Sequence, residues 1–576
     1  MAGRYLGLLV VVGAAVALST DASSISVSSF AELAEAVDAR VSSLILVSRE
    51  YVFPHQLEIC GKTLMSIEST VGSRLDGNSS VRLFFLDGES QLSLRGVNLV
   101  RGSCKDCFGG AIFASNRSKL TLNSVQICNS HAHLGGAIFT FLSNVTANNS
   151  TFIANSADSR GGAVCGDVSV IKFTSSTMSH NRAGKDNSHG GAVSVENAAL
   201  AFTSGTFSHN WAVRGGAVHA TGASSVAILN CTMHHNFAHE KGGVVIANGR
   251  TALNVIDSFI AFNGMSENIM VSQGGALAME EDTVATLSNS TLLSNTANLG
   301  GAICAGHVAS VTVIESTISS NLAAKLGVGG GVLAYDKSNI VAHNSTMSWN
   351  KAFRGGALYV MDSAAITTNG CTLDSNSAAR YGGVIFTEYS GSFAATGCQF
   401  KQNSASSGGT IYALGASAIT IQSCAMSLNV ASAMGGVACA DDESVVTFTQ
   451  CTLHSNSAMQ GGAVVTFDSS AVALSDCDIS LNIANQEGGA MLHESTLPIE
   501  LTDCSVVSNN AQIGGALVVA TGSDASLRAT LFQSNVGLVR NSLHPLCGRA
   551  PCISRMCFPL CSPRVALFCR WPVRCS

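Results

Sequence analysis

The stretch GGAIFTFLSNVTANNSTFIANSADSRGGA, residues 135–163, holds one whole unit of the pattern from which this chain is built, and the start of the next. It opens on Gly135-Gly136-Ala137-Ile138, reaches Phe152-Ile153-Ala154-Asn155 and returns to Gly161-Gly162-Ala163. Reading outward in both directions, Gly-Gly pairs begin at Gly109, Gly135, Gly161, Gly190, Gly215, Gly242, Gly274, Gly300, Gly330, Gly355, Gly382, Gly408, Gly435, Gly461, Gly488 and Gly514. The residue after the pair is Ala in eleven cases, Val in four and Thr in one. A second column precedes the pairs: Asn129, Asn155, Asn181, Asn210, Asn236, Asn263, Asn295, Asn321, Asn350, Asn376, Asn403, Asn429, Asn456, Asn482 and Asn509, with Asn535 at the end. An apolar residue usually stands three before the Asn, as at Phe152, Phe207, Met233, Leu292, Met347, Phe400 and Phe532; Gln126 breaks the rule in the first unit.

Each unit reads as three short stretches with β-type alternation, separated by Gly, Ser and Asn, and without helical periodicity. In the unit after Gly161 these are Gly162 to Cys165, Val168 to Phe173 and Thr177 to His180. So short a unit cannot close a core of its own, whereas stacked copies can, each strand pairing with its counterpart above and below. The pattern predicts an all-β parallel solenoid of about sixteen regular coils, roughly 75–80 Å long at the strand spacing. Gly-Gly allows a turn where side chains would clash. Stacked turn asparagines can bond one another as an amide ladder. Seven cysteines stand five before the ladder Asn (Cys231, Cys371, Cys398, Cys424, Cys451, Cys477, Cys504), where other units carry Ser or another small residue. In-register stacking sets their Cβ atoms farther apart than a disulfide wants, so buried free thiols are expected rather than vertical bridges.

Composition agrees. Of 576 residues, 12% are charged, 57 are Gly and 7 are Pro; mean hydropathy is +0.31 and net charge −6. No apolar run reaches the roughly 18 residues of a membrane-spanning helix. Gly lacks the three-residue period of collagen. The apolar, nearly neutral chain does not read as disordered. Its 31 basic residues are spread too thinly for a nucleic-acid footprint.

The ends differ from the middle. Residues 1–22, with Arg4 and an apolar run from Tyr5 to Leu18, read as a secretory signal. Secretion suits the 20 Cys and eight Asn-x-Ser/Thr sequons, at Asn78, Asn116, Asn144, Asn148, Asn149, Asn230, Asn289 and Asn344. Residues 23–108 hold an amphipathic helix over Ser28 to Arg40, with Phe30, Leu33, Ala34 and Val37 on one face, placed to cap the first coil. Irregular opening coils follow, with strands over Ser43 to Val47, Thr63 to Ile67, Val81 to Leu86 and Gln91 to Val100. Cys104 and Cys107 read as a local disulfide or as free thiols, because a metal would need two more ligands. Residues 109–539 are the repeat domain. Residues 540–576 carry six Cys and five of the seven Pro, and read either as a disulfide-stapled cap or as a tail foreign to the rest.

The paired Gly-Gly-Ala-Ile and Phe-x-x-Asn columns, as at Gly109 to Ile112, Gly135 to Ile138, Phe152 to Asn155 and Phe207 to Asn210, resemble the repeats of the chlamydial polymorphic outer-membrane proteins. More widely, the chain resembles the pectin-lyase-like β-helix proteins. The resemblance covers about residues 109–535 and implies a right-handed parallel β-helix, displayed as an adhesive surface passenger. Only 41 residues follow Asn535, too few for the translocating β-barrel that family carries.

One stretch suggests a ligand. The fourth position after a Gly-Gly start should face outward, and Tyr359, Phe386 and Tyr412 occupy it in three successive coils, with Tyr335 nearby. Just beyond, acids recur at Asp336, Asp362 and Glu388, and again at Asp441, Asp468 and Glu494. An exposed aromatic stack beside carboxylates would hold a sugar, and neighbouring carboxylates would accept Ca²⁺. As a catalytic pair, such acids would have the spacing of a glycosidase. Against this stand the absence of a polygalacturonase-type acidic set and of any Arg or Lys in the acidic column. His180, His209 and His235, with His234 beside them, read as an exposed turn column rather than a metal site. No nucleotide loop or zincin motif is present. The reading is therefore a secreted or cell-surface binding rod without a cofactor or catalytic residues, with glycans or surface proteins as partners. The alternative is a polysaccharide lyase or glycoside hydrolase on the same scaffold.

Overall fold

The computed structural model describes residues 24–184, 186–265, 272–538 and 568–571. The expected signal segment 1–22, and the tail 540–576 apart from its strand Phe568–Trp571, lie outside the described residues.

Each coil of the repeat makes four strands rather than the three expected, the fourth beginning with Ser103–Phe108. In the coil after Gly135 they are a glycine strand Ile138–Phe141, a long strand Asn144–Asn148, a short strand Thr151–Ile153 and a closing strand Ser156–Arg160. Each pairs in parallel with its counterpart one coil on, Ile138 with Val164, Asn144 with Val170, Thr151 with Thr177 and Ser156 with Arg182. The long strands stack into a 20-stranded sheet, the glycine strands into a 19-stranded sheet and the closing strands into a 17-stranded one. The closing strand hides from a sequence reading because its register shifts at a bulge in coil after coil, as between Ala132 and Leu134 or Ala212 and Arg214. A bulge breaks the period-2 alternation by which strands are recognised. The coils before Gly109 are less irregular than expected, for Gln91 and Lys119 stand in the same ladder.

The Gly-Gly corner explains the columns. The first glycine of each pair has φ near +60°, which side chains disfavour, and a Cβ there would overlap backbone three residues on. On the second, a Cβ would overlap the carbonyl oxygen of the second glycine of the next coil. In one coil the pair is Gly329-Gly330, not Gly330-Gly331: Gly329 carries the positive φ, and Gly331 exchanges backbone bonds with Ala302 and Ala357 as the alanines do.

The asparagine ladder runs from Asn155 to Asn535, its members buried to the core. In a typical rung, Asn181 Nδ2 donates to Asn210 Oδ1 (3.0 Å) and to the Phe152 carbonyl (2.9 Å), while the Asn181 N–H donates to the same Asn210 Oδ1 (3.1 Å). Both amide hydrogens and both lone pairs of each internal rung are therefore used. Asn129 is not a rung. It sits exposed at φ 53°, and Ser130 takes the ladder place, its N–H donating to Asn155 Oδ1 at 3.0 Å. The exception at Gln126 then disappears, because Ile127 stands three before Ser130 and is buried.

The cysteine column is a serine column with sulfur in place of oxygen. The Ser150 N–H donates to Ser176 Oγ (3.2 Å), which donates to the Thr174 carbonyl (2.9 Å). The Cys371 N–H donates in the same way to Cys398 Sγ (3.3 Å), which donates to the Thr396 carbonyl (3.4 Å). All seven thiols are free and buried. Cys104 and Cys107 form a disulfide, with Cα atoms 5.3 Å apart.

The sequons acquire a structural reading. Asn149, Asn230, Asn289 and Asn344 occupy one exposed left-handed corner between long and short strands, with φ between 45° and 51°. Asn tolerates that conformation. The residue after it belongs to the Ser/Cys column and the next is the Thr that opens the short strand, so Asn-Ser-Thr, or Asn-Cys-Thr at Asn230, is spelled by three positions of the coil.

At the N-terminal end the helix spans Phe30–Asp38, capped by the Ser29 side chain. It buries Leu33, Ala36 and Val37, with Phe30 and Ala34 packed against the first coils. Among the described residues, no helix is long and apolar enough to cross a membrane.

The two columns respond differently to substitution. Asn350→Leu strips the acceptor from the Asn321 N–H and Nδ2, and the Nδ2 donor from Asn376 and from the Ile318 carbonyl, so unfolding in denaturant should show a loss of about 3 kcal/mol or more. Cys424→Ser keeps both bonds and should stay within about 1 kcal/mol of the parent.

Candidate functional site: the groove along the glycine corner

The inward bend at each Gly-Gly pair folds the glycine and closing faces toward one another on the outside of the coil, making a groove along the molecule. Its floor is the middle residue of each glycine strand, which points away from the lumen. In register these include Cys165, Ser194, His219, Ile246, Ala278 and Cys304, then Leu333, Tyr359, Phe386, Tyr412, Cys439 and Val465. One rim is the residue before each Gly-Gly pair, and the other is the residue six after its first glycine.

This placement corrects the expected aromatic site. Tyr359, Phe386 and Tyr412 do point out of the lumen and do stack, with centroids 5.3 and 5.6 Å apart. They are not exposed, however, at 3%, 0% and 6%. Together with Leu333, Cys439 and Val465 they form a second apolar core, roofed by rim residues such as Val328, Tyr381, Met361 and Met434. Alternation separates lumen from outside, but it does not reveal that two outer faces close on each other.

The acids divide between two columns. Glu388 and Asp441 lie on the rim six after the glycine, whereas Asp336, Asp362 and Asp468 fall one residue later, on a left-handed corner with φ 58°, 54° and 48°. Tyr335 is a rim residue, not part of the floor stack, and its ring lies over Gly306 in the preceding coil. The site of Tyr335, Asp336, Tyr359, Asp362, Phe386, Glu388 and Tyr412 therefore does not converge on one exposed point. The polar members instead bond internally. Tyr359 donates to Glu388, whose other oxygen is 3.8 Å from Arg354, and the Arg354 guanidinium lies 5.5 Å from the Phe386 ring centre. Tyr412 donates to Asp441 at 2.9 Å. Burial, reinforced by these carboxylates, holds both phenols well above their ordinary pKa. Burial also raises the Asp441 carboxyl, and Asp468 adds to the rise.

The Arg354–Glu388 bridge belongs to a rule absent from the sequence reading. Arg160–Glu196 (2.7 Å), Lys241–Glu280 and Arg354–Glu388 each join the residue before a Gly-Gly pair to the rim acid of the next coil, across the groove. Basic residues thus do face the acidic column, from the opposite rim. They are invisible in sequence because 34 to 39 positions separate the partners.

The floor turns polar where the aromatics give out. Ser194 Oγ lies 3.4 Å from His219 Nδ1, and the His189 ring lies tilted against His219 with centroids 4.5 Å apart. Arg160 and Arg214 flank His189 on the closing face, and Arg214 pairs with Glu240 at 2.9 Å. Burial pushes the His219 pKa down to about 3, with His189, Arg160 and Arg214 adding to the fall, and it lowers His189 in the same direction. His219 is thus held neutral and is a weak base. Elsewhere, His180, His209 and His235 form the expected exposed turn column, at φ 55°, 57° and 54°. Their rings are parallel within 4° and stacked at 4.8 and 5.2 Å.

Comparison with known proteins bears on the scaffold. The family model for the right handed beta helix region matches residues 216–400 and 382–544. Among solved structures, a PL6 family alginate lyase, AlyGC, is similar at 10% identity, over 89% of this chain and 99% of that chain, with a TM-score of 0.20. A mutant of the same lyase gives 10% identity, 90% and 99% coverage and a TM-score of 0.20. A likeness so distant carries nothing about chemistry. No curated protein matches the chain.

The buried imidazole predicts an acid-side loss of stability. His219 is neutral when folded, with a pKa near 3, whereas the unfolded chain takes a proton below its ordinary value of 6.5. Stability should therefore be fully present above that value and fall as pH drops from 6.5 toward 3, by an upper bound of about 5 kcal/mol. Melting temperatures of the parent and of His219→Leu across that window should diverge, the variant showing the flatter profile.

Proposed function

The chain belongs to the right-handed beta helix family, and from that footing we propose that it is a secreted or cell-surface rod whose task is binding and spanning rather than catalysis. Its partners are glycans or surface proteins met along its length. The observation that carries this reading is the internal use of the candidate groups. Tyr359 donates to Glu388, whose other oxygen faces Arg354, Tyr412 donates to Asp441, and the aromatic floor is roofed over. An enzyme acting on a polymer needs unpaired acids or bases converging in an open cleft, and Asp336 and Asp362 stand apart from Glu388. The Cys104–Cys107 disulfide fits an oxidising compartment. The paired Gly-Gly-Ala and Phe-x-x-Asn columns, similar to those of the polymorphic outer-membrane passengers, support surface display.

A second reading, a polysaccharide-active enzyme, draws on the polar floor around Ser194 and His219, where a hydroxyl and an imidazole meet between two guanidinium groups. Its weakness is the depressed basicity of His219.

The two readings diverge in one experiment on the purified chain, a glycan array paired with a reducing-sugar release assay. Binding without release is expected, and it should persist in Asp362→Asn and His219→Leu. Release of sugar ends that was abolished by either substitution would overturn the rod reading.

A further inference from the structure

At the corner just before the asparagine ladder, the rings of four successive coils form one continuous stack. Phe262 holds the corner in the coil after His235, at φ 57°. Its ring lies 24° from parallel to His235, with centroids 5.7 Å apart. His234 stands edge-on beside them, at 89° to His209 and 87° to His235. Neighbouring rings cover the faces of His209 and His235, so these two offer solvent the edges that carry their nitrogens. The next corner residue, Ser294, is too small to cover the far face of Phe262, which is 51% exposed.

The cluster holds no counter-charge for an added proton. Among the described residues, no carboxylate lies within ion-pairing distance of His180, His209, His234 or His235, whereas His131 and His133 have Asp158. On the strands around the cluster, the Arg182 guanidinium lies over the Trp211 ring, and Asp257 accepts from Asn289. Arg160, Arg214, Glu240 and Lys241 are paired along the groove, and His239 adds a further imidazole. Burial, followed by His180, His235 and His234, lowers the His209 pKa, and no acid offsets them. His234 Nδ1 and His235 Nδ1 stand 3.0 Å apart and share one proton, whichever ring carries it. A second proton there, or one on each stacked ring, makes positive charge that the protein itself does not neutralise.

The geometry points to a proton-gated site on this corner for a sulfated polysaccharide, laid lengthwise along His180, His209 and His235. The assignment rests on the reading of the chain as a glycan-binding rod, and it names the glycan. Each protonated ring turns N–H donors outward, and charge-assisted bonds from them to sulfate oxygens are of the strong kind. Stacking sets one charge per coil, 4.8 and 5.2 Å apart. That interval is wider than the ~3.4 Å per phosphate of a nucleic-acid strand, and it suits a polymer charged once per sugar. Sulfate also stays ionised at the acidity that charges the imidazoles, where carboxylates, with pKa values of about 4, begin to take up protons. The open face of Phe262 gives the end of the bound segment an apolar ring to lie against. Because a bound anion favours the charged imidazole, binding and proton uptake are coupled.

Short-chain dextran sulfate, titrated calorimetrically into the purified chain at fixed ionic strength, should bind about tenfold or more tighter at about pH 5.5 than at about pH 7.5, with net uptake of protons. Uncharged dextran should not bind. Asn already holds this corner at Asn129, with φ 53°, so His→Asn variants keep its backbone. His209→Asn should weaken binding in acid by about threefold, and His209→Asn combined with His235→Asn should abolish the gain. His307→Asn, at an exposed left-handed position with φ 60°, should leave the gain intact. Equal affinity at the two pH values, an equal loss in His307→Asn, or tighter binding of polyuridylate than of dextran sulfate would sink the assignment. Neutral glycans bound on the array, with no binding of dextran sulfate, would sink it alone and leave the rod reading standing.

Discussion

Each coil can lie on the next only where its second corner glycine slips beneath the carbonyl oxygen of the glycine above, a position no Cβ can share. That steric condition recurs in fifteen successive pairs, from Gly110 to Gly489, and sets the rest of the architecture. It brings the backbones close enough for four parallel ladders. It turns the chain sharply enough for glycine and closing faces to meet outside the lumen. It also sets the second glycine against the backbone just after the ladder position, as Gly136 against Ser156, and so fixes the turn where the asparagine amides come into bonding distance. A side chain at one such glycine would therefore disturb two coils, not one.

Two polar systems follow from this geometry, and they work differently. The asparagine rungs are buried, identical and neutral, and each donor meets one acceptor. Fully satisfied networks of this kind make the fold specific, and a partly satisfied one is costly. Along the groove, the bridges Arg160–Glu196, Lys241–Glu280 and Arg354–Glu388 recur only in some coils and sit near solvent. Bridges of that kind add little stability individually. Their common geometry instead locks the roof of the groove, with Arg354 also lying against Tyr381 and Phe386.

Much of this was legible in the sequence, and the failures have physical causes. The Gly-Gly and Asn columns sufficed for a parallel solenoid, and the cap helix and free thiols followed from amphipathic spacing and from the strand separation. The closing strand was missed because its bulges erase alternation. Asn129 was mistaken for a rung because a left-handed turn selects the same residue type as a buried amide ladder. Gly330 was taken as the start of its pair because three consecutive glycines do not say which one bends backward. The largest error concerned Tyr359, Phe386 and Tyr412. Alternation correctly turned them away from the lumen, but burial on the outside depends on residues two dozen positions away. The cross-groove bridges share that origin, since coil register creates them.

The ladder also bears on how such a chain can change in length. Asn403 and Asn429 make the same bonds to their neighbours, as do Cys398 and Cys424. Excising or duplicating one entire unit between equivalent columns would rejoin donor to acceptor at every rung and every strand. Excising half a unit would set glycine strand against short strand and leave all of them unmatched. The heritable variable of this molecule is thus a whole number, its count of coils, and gene segments of unit length can lengthen or shorten its reach by discrete steps without reinventing its core.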